Sequence, residues 1–217
     1  MQNNFLHRDG AFGRRAREDV DAQIDLEFLA STIPHVRRLA ETFRHHGRPV
    51  VYVAHVLKPD YADAAFPYWR FRRPLSSPSM GAAPCVEGTW GAQIVDELTP
   101  QAGEHLVIKK GFGGFANTPL ETILRNYRVT TCVVAGVTTC VCVSTTVRGG
   151  VEYNYRMIVV EDAVAEIHRE AHDAELKTLA RAFADVHPTD EVIRWLDAAR
   201  AAAGTHQARE PAPVEAV

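Results

Sequence analysis

The sequence predicts an α/β fold, a doubly wound, mostly parallel sheet with helices on both faces. Three observations predict it. Short apolar runs alternate with segments of helical periodicity from Pro49 onward. The runs are nearly continuous in Val, Ile and Ala, the pattern of strands buried on both faces. Lys109, Cys142 and Asp162 fall at the carboxyl ends of such runs, where sheets of this kind bind ligands.

Residues 1–30 are polar and rich in Arg and Asp, with little periodicity before Ile24. Ser31-Thr32-Ile33-Pro34 reads as a helix start, with cap candidates and proline in the first turn. Val36, Leu39, Ala40 and Phe43 then recur at helical spacing until Gly47. Pro49 to Val56 reads as a buried strand. Residues 57–87 hold five of the twelve prolines and several aromatics, too long for an idle connection, and read as a loop that covers a site. Gln93 to Leu98 reads as a short helix and Glu104 to Lys109 as a strand. Pro119 to Tyr127 is a helix capped by Thr118. Thr131 to Ala135 is a strand leading through a turn at Cys142 into a helix that ends near Tyr153. Arg156 to Val160 is a strand ending at Asp162, and His168 to Ala184 a helix with Leu176, Leu179 and Phe183 on one face. A short strand near Val186 and a helix from Asp190 to about Ala202 follow. One domain, residues 1–202, and a disordered tail, residues 203–217, are expected.

The 217 residues suffice for one ordinary α/β domain. A net charge of −3 gives no reason to expect nucleic acid or an anionic membrane as partner. No apolar run approaches the roughly 20 residues of a membrane span, and the first residues lack a signal-peptide core. Cys85, Cys132, Cys140 and Cys142 follow neither a disulfide framework nor a paired zinc pattern, so a reduced cytoplasmic protein is the default.

A cysteine thiolate at the start of a helix and beside a lysine is a nucleophile, because both features lower a thiol pKa from about 8.5. Backbone amides at the same turn could hold an oxyanion, and a further group must carry the proton. Other readings compete. A cysteine in an apolar corner is ordinarily a small core residue, and a lysine at a strand end is ordinarily solvated. Cys140, Cys132 and Lys110 are rivals of Cys142 and Lys109. Cys140-Val141-Cys142 lacks a third metal ligand nearby, His45, His46, His168 and His172 read as surface helix histidines, and Asp162 reads as a structural cap.

Together these residues resemble the isochorismatase-like cysteine hydrolase superfamily. The resemblance rests on Gly136-Val137-Thr138-Thr139-Cys140-Val141-Cys142-Val143, Lys109-Lys110-Gly111-Phe112-Gly113-Gly114-Phe115, Gly88 to Leu98, Asn117-Thr118-Pro119-Leu120 and Val160-Glu161-Asp162-Ala163. It runs from Met1 to about residue 200. It implies Cys142 as nucleophile, Lys109 rather than Lys110 as its partner, and an Asp–Lys–Cys triad that hydrolyses amides through a thioester, with no metal or other cofactor. It implies a non-proline cis peptide at Val137–Thr138 that aims the amides of Thr138 and Cys142 at the oxyanion, and a homo-oligomer. Gly88 to Glu161 is most similar to ureidoacrylate amidohydrolases, and close to biuret-type and N-carbamoylsarcosine-type hydrolases, so a small amide or ureido compound is the implied substrate. Nicotinamidases are less similar, since residues 55–75 lack an evident match to their Asp/His metal cluster. Phe5, Trp69, Phe115 and Arg148 are weaker substrate-binding candidates.

In the family the first strand ends in an aspartate followed by Met-Gln-Asn-Asp-Phe, where this chain has Met1-Gln2-Asn3-Asn4-Phe5. The resemblance therefore puts the triad aspartate one position ahead of Met1, and the first central strand with it. A sheet lacking that strand would leave buried ladder groups unsatisfied, at about 1–3 kcal/mol each. A start codon assigned at an internal methionine is the favoured explanation. A repurposed paralogue that binds a ligand or partner without turnover is the alternative. Asp9, Asp19 and Asp162 have the wrong place in the motif to substitute.

Overall fold

The computed structural model describes residues 1–65 and 85–207. Helices α1 (Asn3–Leu6) and α2 (Ala11–Glu18) open the chain, followed by the long α3 (Leu26–His45). Strands β1 (Val51–His55) and β2 (His105–Lys109) pair in parallel. Helix α4 (Leu120–Asn126) leads to β3 (Thr131–Val137). A five-residue π-helical turn, Thr139–Val143, runs into α5 (Ser144–Glu152). Strand β4 (Arg156–Ala165), α6 (Arg169–Ala182), β5 (Asp185–His187) and α7 (Thr189–Gln207) complete the chain.

The strands form two parallel sheets, β1-β2 and β3-β4-β5. The predicted doubly wound arrangement is clearest around β4. Met157, Val159 and Val164 pack with Val143, Val147 and Leu179 of the α5 and α6 side. Ile158, Val160 and Ala163 pack with Leu39 of α3 and Val192 of α7. Alternate residues of one strand thus serve opposite layers, which is why the run reads as continuously apolar. On the other sheet, Val107 packs with Phe115, Leu120 and Leu124.

Strands β1 and β3 are not hydrogen-bonded to each other. A cavity of about 740 Å³ lies between them, lined by Val51 to Val53, Val133 to Val137 and the apolar side of α3. At one end the Gln2 side chain takes up strand-like bonds. Its Oε1 accepts the His55 N–H, at 2.9 Å, and its Nε2 donates to the carbonyls of His55 and Ala92, at 2.8 and 2.7 Å.

Several boundaries differ from the sequence reading. Helix α3 begins at Leu26, and Pro34 lies inside it. Asp25 is the true cap, with Oδ1 accepting the Phe28 N–H at 2.8 Å. Ser31 and Thr32 instead donate to carbonyls three residues back, and burial of Leu29, Thr32, Leu39 and Ala40 outweighs the one backbone bond that proline removes. The short helix expected at Gln93–Leu98 is two 3-10 turns, Trp90–Ala92 and Asp96–Leu98, separated because Ile94 bridges to Gln2. Strand β4 runs on to Ala165 through a bulge, and α7 runs through Gln207, into the segment read as a tail.

Asp162 is a cap. Its Oδ1 accepts both the backbone N–H and the hydroxyl of Thr189, at 2.9 and 2.6 Å, at the start of α7, and its Oδ2 lies 3.3 Å from His35 Nδ1. Thr189 is fully buried, so its donors have no water to turn to. Asp162→Ala should cost about 1–3 kcal/mol, read as a lower urea midpoint with an unchanged m value.

Candidate active site at the carboxyl ends of β1, β2 and β3

Strand β2 ends on Lys109 directly opposite His55, the last residue of β1. Both are buried, at 4% and 9% exposure, and both line the cavity. The Lys109 ammonium donates to the Phe112 carbonyl, which the turn Gly111-Phe112-Gly113 folds back over the strand end. Lys110 turns the other way, to the Val56 carbonyl at 2.7 Å and the Asp63 carboxylate at 2.6 Å. His55 is pushed down to about 4, by burial first and then by the Lys109 charge, so it is neutral at pH 7.

Strand β3 delivers the other half. The Val137–Thr138 peptide bond is cis, and Gly136 has a φ of +125°, open to glycine but strained for other residues. The turn Thr139–Val143 follows, with the Thr138 carbonyl accepting the Val143 N–H at 3.1 Å. Cys142 on this turn lines the cavity together with Lys109, His55, Gln2, Phe5 and Phe115. Burial lowers the Met1 amine to about 6, and it feels the charges of Cys142, Cys85 and Lys109. These groups therefore converge on one place.

The turn presents its two cysteines to opposite environments. Cys140 faces back toward α6, with Sγ 3.4 Å from the Ala171 carbonyl and its N–H donated to Glu166 Oε2 at 2.8 Å. Burial, then the Glu166 and Glu175 carboxylates, push its thiol up to about 12. Burial pushes Cys85 up to about 12 and Cys132 to about 11. Cys132 also touches the cavity, but at the amino-terminal end of β3.

Other sequence candidates fall as follows. Phe5 stacks edge-on against Phe12, at 5.1 Å. Phe115 is 5% exposed and stacks on Tyr153 and Tyr155. Gly149 and Gly150 of α5 lie against it, and a Cβ at Gly150 would come within 2.4 Å of the buried Met157 sulfur. Arg148 is not brought to the cavity. It pairs with Glu175 at 2.7 Å and lies over the Phe183 ring, because α5 turns that face toward α6. Trp69, and most of the loop expected to cover the site, lie outside the described residues. Among the described residues no carboxylate lines the cavity. Asp9 pairs with Arg8 and Arg17, Asp19 with Arg15, and Asp162 caps α7. Sequence reasoning missed Gln2, His55 and Glu166. The signal that could have found His55 and Glu166 is a polar residue closing an apolar run, and Gln2, in a polar segment, carried none.

Two measurements follow from this geometry. At pH 8 a thiol of pKa 11–12 is ionised to about one part in a thousand or less, so brief treatment with iodoacetamide should label Cys142, located by peptide mass spectrometry. Predominant labelling of Cys140 would contradict the arrangement. The lowered His55 means that the unfolded chain binds its proton more readily between about pH 4 and 6.5. Stability should fall as pH drops through that window, with burial of His172 adding the same sign, and His55→Gln should flatten the slope of the urea midpoint against pH.

A family model described as the isochorismatase domain matches residues 1–191. The ureidoacrylate amidohydrolase RutB of Methylorubrum extorquens is 34% identical over 170 residues, 75% of this chain and 66% of that protein's length. The crystal structure of a cysteine hydrolase from Pseudomonas syringae pv. phaseolicola superimposes with a TM-score of 0.78 at 26% identity, covering 92% of this chain and 90% of that one. That of N-carbamoylsarcosine amidase from Thermoplasma acidophilum gives 0.66 at 31% identity, covering 88% and 92%. With its parallel strands, its flanking helices and a match over nearly the whole described length, this chain belongs to the isochorismatase family of hydrolases.

Proposed function

We propose that the site hydrolyses the C–N bond of a small ureido or carbamoyl compound through a thioester on Cys142. The observation that carries this reading is the meeting, in one cavity, of Cys142 on the turn after the Val137–Thr138 bond with the buried Lys109 ammonium. The printed activities of the ureidoacrylate and N-carbamoylsarcosine relatives narrow the substrate class.

In the first step the Cys142 sulfur adds to the carbonyl carbon, and the amides of Thr138 and Cys142 receive the oxyanion. The C–N bond breaks as the thiol proton passes to the leaving nitrogen, giving an amine and a thioester. Water then adds to the thioester carbonyl, the C–S bond breaks, and the acyl group leaves as the carboxylic or carbamic acid while the sulfur takes back a proton to regenerate the thiol. Lys109 supports the thiolate and orients the proton carrier.

That carrier is a carboxylate in this reading. Met1 lines the cavity with Cys142 and Lys109, so a residue joined ahead of it would have access to that cavity. A second reading, ligand binding without turnover, draws on the lack of a cavity-lining carboxylate among the described residues.

The test extends the chain at Met1 by an apolar strand of about five residues ending in Asp, and scores ammonia release from ureidoacrylate, biuret, N-carbamoyl amino acids and nicotinamide. Turnover of the ureido compounds, lost at least a thousandfold on Cys142→Ala or on ending the strand in Asn, is expected. Full activity in Cys142→Ala with none in Cys140→Ala would refute the assignment. Tight binding with no turnover in the extended chain would favour the second reading.

A further inference from the structure

The turn that carries Cys142 is held from behind by a buried carboxylate that the reaction itself does not use. Glu166 follows the last residue of β4 and is 5% exposed. Its Oε2 accepts the Cys140 N–H at 2.8 Å, and its Oε1 accepts the Ile167 N–H at 2.9 Å. The first bond clamps the turn two residues before the nucleophile, and the second holds the carboxylate against its own backbone. Helix α6 adds contacts around it. Thr139 Oγ1 lies 2.9 Å from His172 Nδ1, and Ser144 donates to Glu175 at 2.6 Å, so both sides of the turn are tied to one helix.

A neutral acceptor could satisfy the Cys140 N–H. A carboxylate does two further things. It sits at the amino-terminal side of the π-turn and α5, where the helix dipole favours negative charge. It also lies beside the Cys140 thiol and opposes its ionisation, as does Glu175. Cys140 and Cys142 stand two positions apart on the same turn, with Glu166 on one side and Lys109 on the other.

We propose that Glu166 is a positioning residue, which fixes the turn through the Cys140 N–H so that Cys142, and not Cys140, is the sulfur presented to the cavity. This rests on the reading of Cys142 as nucleophile, and deepens it.

The test needs no substrate. The 217-residue protein and its Glu166→Gln and Glu166→Ala variants are treated with iodoacetamide at pH 8, and the rate and position of labelling are followed by peptide mass spectrometry, with near-UV circular dichroism to report folding. Glu166→Gln keeps one acceptor oxygen, enough to hold the Cys140 N–H while the Ile167 N–H loses its partner, and should label Cys142 within about threefold of the parent rate. Glu166→Ala should label Cys142 at least tenfold more slowly and shift label toward Cys140. A folded Glu166→Ala that matches the parent in both rate and position overturns the proposal, and so does a folded Glu166→Gln as slow as the Ala variant. Should Glu166→Ala not fold, Glu166→Asp takes its place with the same expected slowing, because it withdraws the carboxylate by one methylene. A parent protein whose Cys142 does not react at all would instead strike at the nucleophile assignment.

Discussion

The parallel pairing of β3 with β4 governs where the rest of the site sits. Val134 lies opposite Val159, but Gly136 lies opposite Val164, so Ala135 alone spans the distance that Val160 to Ala163 span on β4. Without that surplus the register would bring Asp162 opposite Val137 and carry Glu166 three positions further on, level with Val141. With it, the excess chain swings Asp162 out to cap α7, and the ladder resumes with Val137 opposite Ala165. Glu166 then stands level with the Cys140 N–H. Bulges re-aim side chains in this way without breaking the sheet. One irregularity thus serves both a helix start on one layer and the turn that carries Cys142 on the other.

The charges around that turn are arranged as a gradient. Glu166 and Glu175 lie on the α6 side, and Lys109 lies on the cavity side. An ammonium at 4% exposure with a carbonyl for its partner is costly to bury, and a nearby anion offsets that cost. His55, kept neutral beside it, adds no second positive charge. The cavity therefore favours a negative group next to Lys109, whether a thiolate, a carboxylate or an oxyanion passing between them.

The parts of this structure that the sequence made legible are those dictated by short-range chemistry. The continuous apolar run marked β4 because a strand buried on both faces has nowhere to hide a polar residue, whereas β2, equally apolar, leaves Leu106 and Ile108 exposed on one face. Asp162 was readable as a structural cap and not a catalyst, but the helix it caps was not, since Thr189 lies 27 residues on and β4 continues past Asp162 to Ala165. Long-range packing was not legible. The Ser-Thr-Ile-Pro signal was locally sound, yet α3 runs through it, since Leu29 and Thr32 are more stable buried in a helix than at its edge. The polar opening segment hid two helices, because Gln2, Asn3 and Asn4 are buried by bonds to Ala92, Trp90 and Ala11 that lie far along or across the chain. Arg148 is a surface-type residue whose direction depends on the rotation of α5, which no local pattern reveals. The role of Glu166 depends on a bulge, and a bulge leaves no periodicity to read.

The glycine seam of α5 has a consequence for how such a protein can change over time. Gly149 and Gly150 let the helix behind Cys142 press onto Phe115 and Met157 with no space for even one added carbon at Gly150. Helix α6 and β4 close the remaining sides through Glu166, His172 and Glu175. The half of the site that carries Cys142 is thus mechanically committed, because a close-packed wall transmits any change in volume to the turn it supports. Gly113 and Gly114, beyond the end of β2, lie closely against Thr145 and Thr146 of the same helix, so the wall extends across to the Lys109 side of the site.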